Sequence, residues 1–543
     1  PERVFASVLV TEHARAWGVQ SGHELILPLT VAFVLVALAA CGVRLLLLWA
    51  NTKLSFSAGA DLSIEVYRRT LYQPYAVHVA RNSSEIVSGI TGKVGGIVYG
   101  ALLPLLTLVS ASIVLLAVVM ALLAIDTTVA LTALAGFGAI YAMTTWISKR
   151  RLLLNGEKIA AEQTHVLKAI QEGLGGIRDV LLEGSQPLYC DIYRRSDQAL
   201  RRAQGSNMFI ASSPRFSTEA LGMILIAALA YGLTQQENGV AKALPVLGAL
   251  VLGAQRLLPA LQQIYGSWAG IVSSQASLVD ALELLDQPLP PEAFEAQPEK
   301  LDFRRQIEFD NVCFRYTEHE RAVLDGVNFV IHKGSRIGLV GTTGSGKSTT
   351  VDLLMGLLDP VSGQVRVDGE PVSGPRRRAW QQSLAHVPQT VYLADASFAE
   401  NIAFGVSRES IDMERVKQAA VQAQVADFIE SRQRGYDAYV GERGIQISGG
   451  QRQRIGIARA LYKRASVLVF DEATSALDNV TERAVMSAID QLDRDLTIII
   501  IAHRLTTVQH CDAIIELDKG HVRAVGTYEY LLQHSQSFRQ MTV

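Results

Sequence analysis

Eight residues, Gly341-Thr342-Thr343-Gly344-Ser345-Gly346-Lys347-Ser348, have the types and spacing of a phosphate cradle. Glycines let backbone N–H groups turn inward onto phosphate oxygens at the positive end of a following helix. Lys347 is suited to neutralise β- and γ-phosphates and the Ser348 hydroxyl to ligate Mg²⁺, with Thr349 closing the nucleotide-binding run. Further on, the apolar run Val467 to Phe470 ends in Asp471 and Glu472. A buried strand of this kind delivers its carboxylates to the C-terminal edge of a sheet, where ligands bind in such folds. Asp471 is suited to hold the metal through water, and Glu472 to polarise an attacking water. His503, after the run Thr497 to Ile501, is placed to contact the γ-phosphate and order that water. The chemistry expected is hydrolysis of a nucleoside triphosphate with Mg²⁺.

These residues need a scaffold. Short β-rich runs at Arg336 to Val340, Val467 to Phe470 and Thr497 to Ile501 alternate with helical stretches, the pattern of an α/β domain with a largely parallel sheet. That domain is expected over residues 301–543. A proline-rich stretch, Gln287-Pro288-Leu289-Pro290-Pro291 with Gln297-Pro298, reads as a linker over 287–300.

Residues 1–286 are a different material. Hydrophobic residues make up 49% of the 543 and charged residues only 19%, which is more apolar than an ordinary soluble chain and places part of this one in lipid. Five runs are long enough to span a bilayer: 25–43 (continued to Trp49), 94–125, 127–148, 220–236 and about 243–268. Basic clusters at Arg68-Arg69, Lys149-Arg150-Arg151, Arg194-Arg195 and Arg201-Arg202 fall on one side, the cytoplasmic one. Five spans with a cytoplasmic C-terminus put residue 1 outside, so a further span is expected upstream of Pro1. The polar stretches 51–93 and 149–219 read as helices continuing into the cytoplasm, each pausing once, at Gln73-Pro74-Tyr75 and at Ser212-Ser213-Pro214. With 50 basic against 52 acidic side chains there is no global basic field, and nucleic acid is not an expected partner. The four cysteines have neither metal-site nor disulfide-scaffold spacing and read as structural thiols.

Between the cradle and Asp471 lies Ile447-Ser448-Gly449-Gly450-Gln451, followed by the helix-like run Arg452 to Leu461. Ser-Gly-Gly-Gln at a helix start in this position resembles the signature of the ATPase domain of ABC transporters, with Ile447 in place of the common leucine. A membrane domain ahead of its ATPase on one chain resembles the exporter branch. The resemblance implies a membrane all-α bundle of the type IV exporter fold followed by an α/β P-loop NTPase domain. It assigns Tyr316 to stacking on adenine, and Gln389 to sensing the metal and the membrane domain beside the catalytic Glu472 and His503. It assigns Gly441-Glu442-Arg443-Gly444 to contact with membrane helices and Ser475-Ala476-Leu477-Asp478 to communication across a dimer. Ser448, Gly449, Gly450 and Gln451 of one copy would close on ATP held by the other, so a homodimer with two competent sites is implied, working by alternating access.

For the substrate, Asn82 to Gly92, Gly176 to Leu181 and Arg256-Leu257-Leu258-Pro259 look like bacterial flippases for lipid-linked oligosaccharides. This implies a multi-pass protein of a bacterial inner membrane, its ATPase domain cytoplasmic, moving an amphipathic or lipid-linked substrate. Arg256 lies inside an apolar run, where an ionisable group is costly unless it faces a cavity or a partner. It either lines the path and pairs with a pyrophosphate, or snorkels or pairs helices; for Arg44 the second reading is favoured. Export of a peptide, drug or other lipid stays open, as does a membrane-tethered ATPase with a regulatory role.

Overall fold

The computed structural model describes residues 26–541 other than 126, 235–238, 291–292, 295–297, 318, 442–446, 472–481, 483–486, 488–494 and 503–504. Two compact units emerge: one takes in the chain to Gln73 and Arg81–Leu289, the other Pro74–Ala80 and Pro290–Val543.

The first unit is helical. Its described helices are α1 (Ile26–Leu71), α3 (Ser83–Ser88), α4 (Val94–Ile97), α5 (Leu103–Ile125), α6 (Thr127–Gly175), α7 (Ile177–Leu182), α8 (Gln186–Ser212), α9 (Pro214–Thr234), α10 (Gly239–Ser273) and α11 (Gln275–Leu285); α2 (Tyr75–Ala80) groups with the second unit. At 1.5 Å per residue α1 and α6 reach roughly 70 Å, more than twice a hydrocarbon core of about 30 Å. Every residue from Ile26 to Trp49 is exposed although nearly all are apolar. Such a surface is stable only against lipid or another apolar face. Ile26–Leu71 and Ser83–Ala124 are each long and apolar enough to cross a membrane. The described parts of the five expected spans fall within α1, α4–α5, α6, α9 and α10.

Close helix approach in this unit depends on small residues. A Cβ on Gly156 of α6 would collide with the Ser273 carbonyl oxygen of α10, and one on Gly100 with the Ser274 side chain. Two five-residue π turns, Gly89–Lys93 and Val98–Leu102, interrupt the segment before α5. Beside the first, the partly buried Lys93 ammonium pairs with Asp280 of α11 at 2.5 Å. Arg69, near the end of α1, donates to the carbonyls of Leu285 (2.5 Å) and Gln287 (3.0 Å). A cation there satisfies carbonyls that the end of α11 leaves without intrahelical partners.

Two expectations need correction: 51–93 breaks not only near Pro74 but again at Arg81-Asn82, where Asn82 caps α3. The stretch 149–219 breaks not only near Ser213 but also on both sides of α7. The weak helix formers Gly175 and Gly176 precede that short helix, and Gly184, at φ +62°, turns the chain after it.

The second unit is α/β. Its strands are β1 (Gln306–Phe314), β2 (Leu324–His332), β3 (Arg336–Gly341), β4 (Ser362–Val367), β5 (Glu370–Pro371), β6 (Leu384–Val387), β7 (Val467–Asp471), β8 (Thr497–Ile501), β9 (Ala513–Asp518) and β10 (His521–Gly526). A six-stranded sheet has the order β10-β9-β3-β8-β7-β6, parallel except for β10. Along β7 and β8, Val467, Val469, Ile499 and Ile501 enter one buried cluster while Leu468, Phe470, Ile498 and Ile500 enter another. A sheet covered on both faces explains why these strands are continuously apolar rather than alternating. A second sheet, β2-β1-β4-β5, is antiparallel. Sequence reading singled out β3, β7 and β8 but not this sheet, whose strands alternate buried and open positions. The helices are α12 (Lys347–Leu354), α13 (Gly374–Gln382), α14 (Phe398–Ile402), α15 (Met413–Gln422), α16 (Ala426–Glu430), α17 (Gly449–Lys463), α18 (Tyr528–His534) and α19 (Gln536–Met541). Cys511 is buried, Cys41 and Cys190 are exposed, and all four thiols are unbridged.

Candidate functional site

The phosphate cradle lies where β3 ends and α12 begins. Gly341 and Gly346 have φ of +152° and +101°, a region side chains rarely adopt. A Cβ on Gly346 would also come within 2.5 Å of Leu324 Cδ2. The loop folds this tightly because these positions are glycine. Lys347 is 6% exposed, and its Nζ donates to the carbonyls of Gly341 (2.9 Å) and Thr342 (3.1 Å). The side chain thus arches back over the loop. Ser345 is 1% exposed, and its hydroxyl has no hydrogen-bond partner among the described residues. Thr342, Thr343, Gly344 and Ser348 are open to solvent. An orphaned hydroxyl, a buried ammonium and a helix N-terminus within one loop fit a polyphosphate.

Tyr316 is half exposed; its OH lies 3.1 Å from Thr349 Oγ1, and its ring meets Phe314 edge-on at 5.0 Å. The first turn of α12 thereby sets the aromatic beside the cradle. Asp471 ends β7, adjacent in the sheet to β8. Gln389 is exposed and follows β6.

Asp352, which sequence reading missed, joins this group. It lies one helical turn beyond Ser348, and its carboxyl is pushed up to about 6 by burial and then by the Asp471 carboxylate. The available signal was the four-residue spacing from Ser348, which puts both on one face of α12. Two carboxylates in electrostatic reach, near the Ser348 hydroxyl, suit a divalent cation.

The Ser-Gly-Gly-Gln run is the start of α17. Ser448 Oγ accepts the Gln451 N–H (3.3 Å) while Gln451 Oε1 accepts the Ser448 N–H (3.1 Å). The four-residue motif is thus a reciprocal cap. Ser448 and Gly449 are exposed, so the positive end of a 15-residue helix faces solvent. Glu472, His503, Asp478 and the stretch Glu442-Arg443-Gly444 lie outside the described residues. In the helical unit Arg256 is exposed on α10, without an ion-pair partner among the described residues.

Comparison with known proteins agrees with this geometry. Residues 324–475 match the family described as ABC transporter. The chain is 33% identical over 410 residues to an ATP-dependent lipid A-core flippase of Alkalilimnicola ehrlichii, covering 75% of this chain and 68% of that one. A protein of the same description from Albidiferax ferrireducens is 30% identical, over 92% and 84% of the two chains. A β-(1→2)glucan export ATP-binding/permease protein, NdvA, of Brucella suis is 35% identical over 61% and 54%. Among solved structures, a bacterial Atm1-family ABC exporter with ATP bound superposes with a TM-score of 0.82 at 26% identity, over 98% of this chain and 93% of that one. The chain belongs to the ABC transporter family, in its exporter branch, and couples ATP hydrolysis to transport.

Proposed function

We propose that this chain is half of a homodimeric exporter that moves a lipid-linked glycan across a bacterial inner membrane, with the ATPase unit in the cytoplasm. The observation that carries the dimer is the exposed, reciprocally capped helix end at Ser448–Gln451. It is an anion site on the surface, and the phosphates of ATP on a second copy are its natural occupant. In that reading ATP is sandwiched, with the 341–349 loop, Lys347 and Tyr316 holding it from one side. Magnesium, held by Ser348 and Asp471 with Gln389 near, would neutralise charge developing on the transferred phosphoryl group. In this reading Glu472 would orient the attacking water, His503 would contact the γ-phosphate, and Asp478 would take part in communication across the dimer. Closure of the ATPase pair then reorients the membrane helices.

The substrate reading rests on the long lipid-facing helices, on Arg256 among apolar neighbours, and on relatives named for lipid A-core and for a glucan. A lipid-linked oligosaccharide combines both chemistries, and its pyrophosphate would pair with Arg256 as well as offset the cost of that charge. The relative named for glucan export favours a glycan without a lipid as the second reading. The test is reconstitution of the full chain in vesicles with fluorescent lipid-linked oligosaccharide. ATP-dependent loss of accessible signal, absent with Glu472→Gln and reduced with Arg256→Ala at unchanged basal ATPase, is expected. Movement of the glycan alone, without its lipid, would favour the second reading.

A further inference from the structure

Nucleotide chemistry occupies one edge of the parallel sheet, and a separate cavity lies at the other. Strands β3, β7 and β8 run parallel. The P-loop follows the end of β3, while Leu468 and Leu496 lie at the starts of β7 and β8, a strand length away, about 15 Å. There a cavity of about 350 Å³ lies between α15 and the C-terminal end of α17. Its floor is apolar, with Ala419, Ala460, Ala465 and Leu468. Its polar lining comes from the side chains of Arg415, Arg464, Gln418 and Gln422, with no carboxylate among the described lining residues.

Several contacts leave this lining short of negative charge. Lys300 Nζ donates to the carbonyls of Lys463 (3.0 Å) and Arg464 (3.2 Å), so the negative end of α17 is already neutralised. The Lys300 ammonium is pushed below the usual lysine range, first by burial and then by Arg415 and Arg464, so both guanidinium groups lie within electrostatic reach of Lys300. The Arg415 guanidinium lies 4.6 Å over the Tyr462 ring, and its buried Nε has no hydrogen-bond partner among the described residues. Asp412, the N-cap of α15, and Glu414, on its first turn, are engaged locally: Asp412 accepts the Arg415 N–H and Glu414 pairs with Lys417. Arg464 is the C-cap of α17 at φ +50°, a conformation that favours glycine, yet a charged side chain stands there. Like charges gathered around a hollow repel, and an anion would remove that cost.

We propose that this cavity binds a small phosphomonoester, gripped by Arg415 and Arg464 with its short carbon body against the alanine and leucine floor. Guanidinium groups match phosphate oxygens bidentately, and a dianion answers two of them. The volume falls within the range of small-molecule sites and is too small for a macromolecule. The occupied cavity would sit at one end of α17, whose other end is the Ser448–Gln451 cap, about 22 Å away along one rigid helix.

The test uses the full chain in nanodiscs with the P-loop saturated by a non-hydrolysable ATP analogue and Mg²⁺, titrated calorimetrically with glycerol 3-phosphate, glycerol or succinate. Glycerol 3-phosphate should bind at millimolar concentration or below, weakening as salt rises, while glycerol should not bind and succinate should bind more weakly. Arg464→Gly removes the charge while relieving the left-handed backbone. It should melt no lower than the parent, keep its affinity for the ATP analogue, and bind glycerol 3-phosphate at least about 10-fold more weakly. Absence of any phosphomonoester binding, equal binding by Arg464→Gly, or succinate binding as tightly would each overturn the proposal.

Discussion

Gln451→Glu separates the two jobs assigned to the start of α17. In the structure Gln451 accepts the Ser448 N–H through Oε1 at 3.1 Å, and its own N–H donates to Ser448 Oγ at 3.3 Å. Glutamate is the other residue that serves at this third helical position, so the cap should survive. A carboxylate also favours the positive helix end by about 0.3–1 kcal/mol. Thermal stability should therefore stay level or rise. If the same helix end grips phosphate from a second copy, the new charge opposes it. At about 5 Å and an effective dielectric of about 20, two like unit charges cost about 3 kcal/mol, roughly a 100-fold loss of closure. Gln451→Ala, losing half of the cap, should instead cost about 1 kcal/mol of stability. The assay pairs melting in detergent with ATPase turnover and nucleotide-dependent dimer closure. A Gln451→Glu protein that melts like the parent and hydrolyses ATP at the parent rate would show that this helix end never meets phosphate, and the dimer reading would fall.

Three further perturbations follow from the packing. His386 on β6 is partly buried, its Nε2 lacks a partner among the described residues, and its imidazole is pushed down to about 4 from 6.5 by burial. The unfolded chain takes up that proton below pH 6.5 and the folded one does not, so stability is lost as pH falls from about 6.5 to 4, in total about 3 kcal/mol. Asp352, raised from 3.8 to about 6, acts in the opposite sense over much of that window. His386→Gln should therefore keep more of its stability than the parent as pH falls from about 6.5 to 4, and parallel pH–stability curves would contradict this. Glu516 on β9 is 1% exposed and accepts the Ser535 hydroxyl at 2.6 Å and that of Ser537. Glu516→Ala removes the carboxylate acceptor of both hydroxyls and leaves them each other at 3.0 Å; it should cost about 2 kcal/mol and lower the melting temperature by roughly 4–8 °C, and an unchanged melt would contradict this. Gly156→Ala gains helix propensity of about 1 kcal/mol but drives a methyl group into the Ser273 carbonyl, an overpacking worth about 1–3 kcal/mol. Net destabilisation in a detergent melt is expected, and a higher melting point would show that α6 and α10 can part without cost.

Much of the chemistry was readable in the linear chain because it is written in local patterns. The 341–348 loop, the strands at 336–341, 467–471 and 497–501, and the cap at Ser448–Gln451 each need only neighbouring residues to declare themselves. The membrane runs are equally local, since about 20 apolar residues meet the bilayer requirement wherever they stand. The pairing of β1 with both β2 and β4, the approach of Asp352 to Asp471, the glycine-dependent crossing of α6 and α10, and the cavity between Arg415 and Arg464 belong to the tertiary structure. Each joins residues distant in sequence, whose distance is set by how whole elements bury their apolar faces. The separate helix Ile177–Leu182 is the intermediate case: Gly175, Gly176 and Gly184 were visible, but glycine permits a turn without requiring one, and only packing decides whether it is taken.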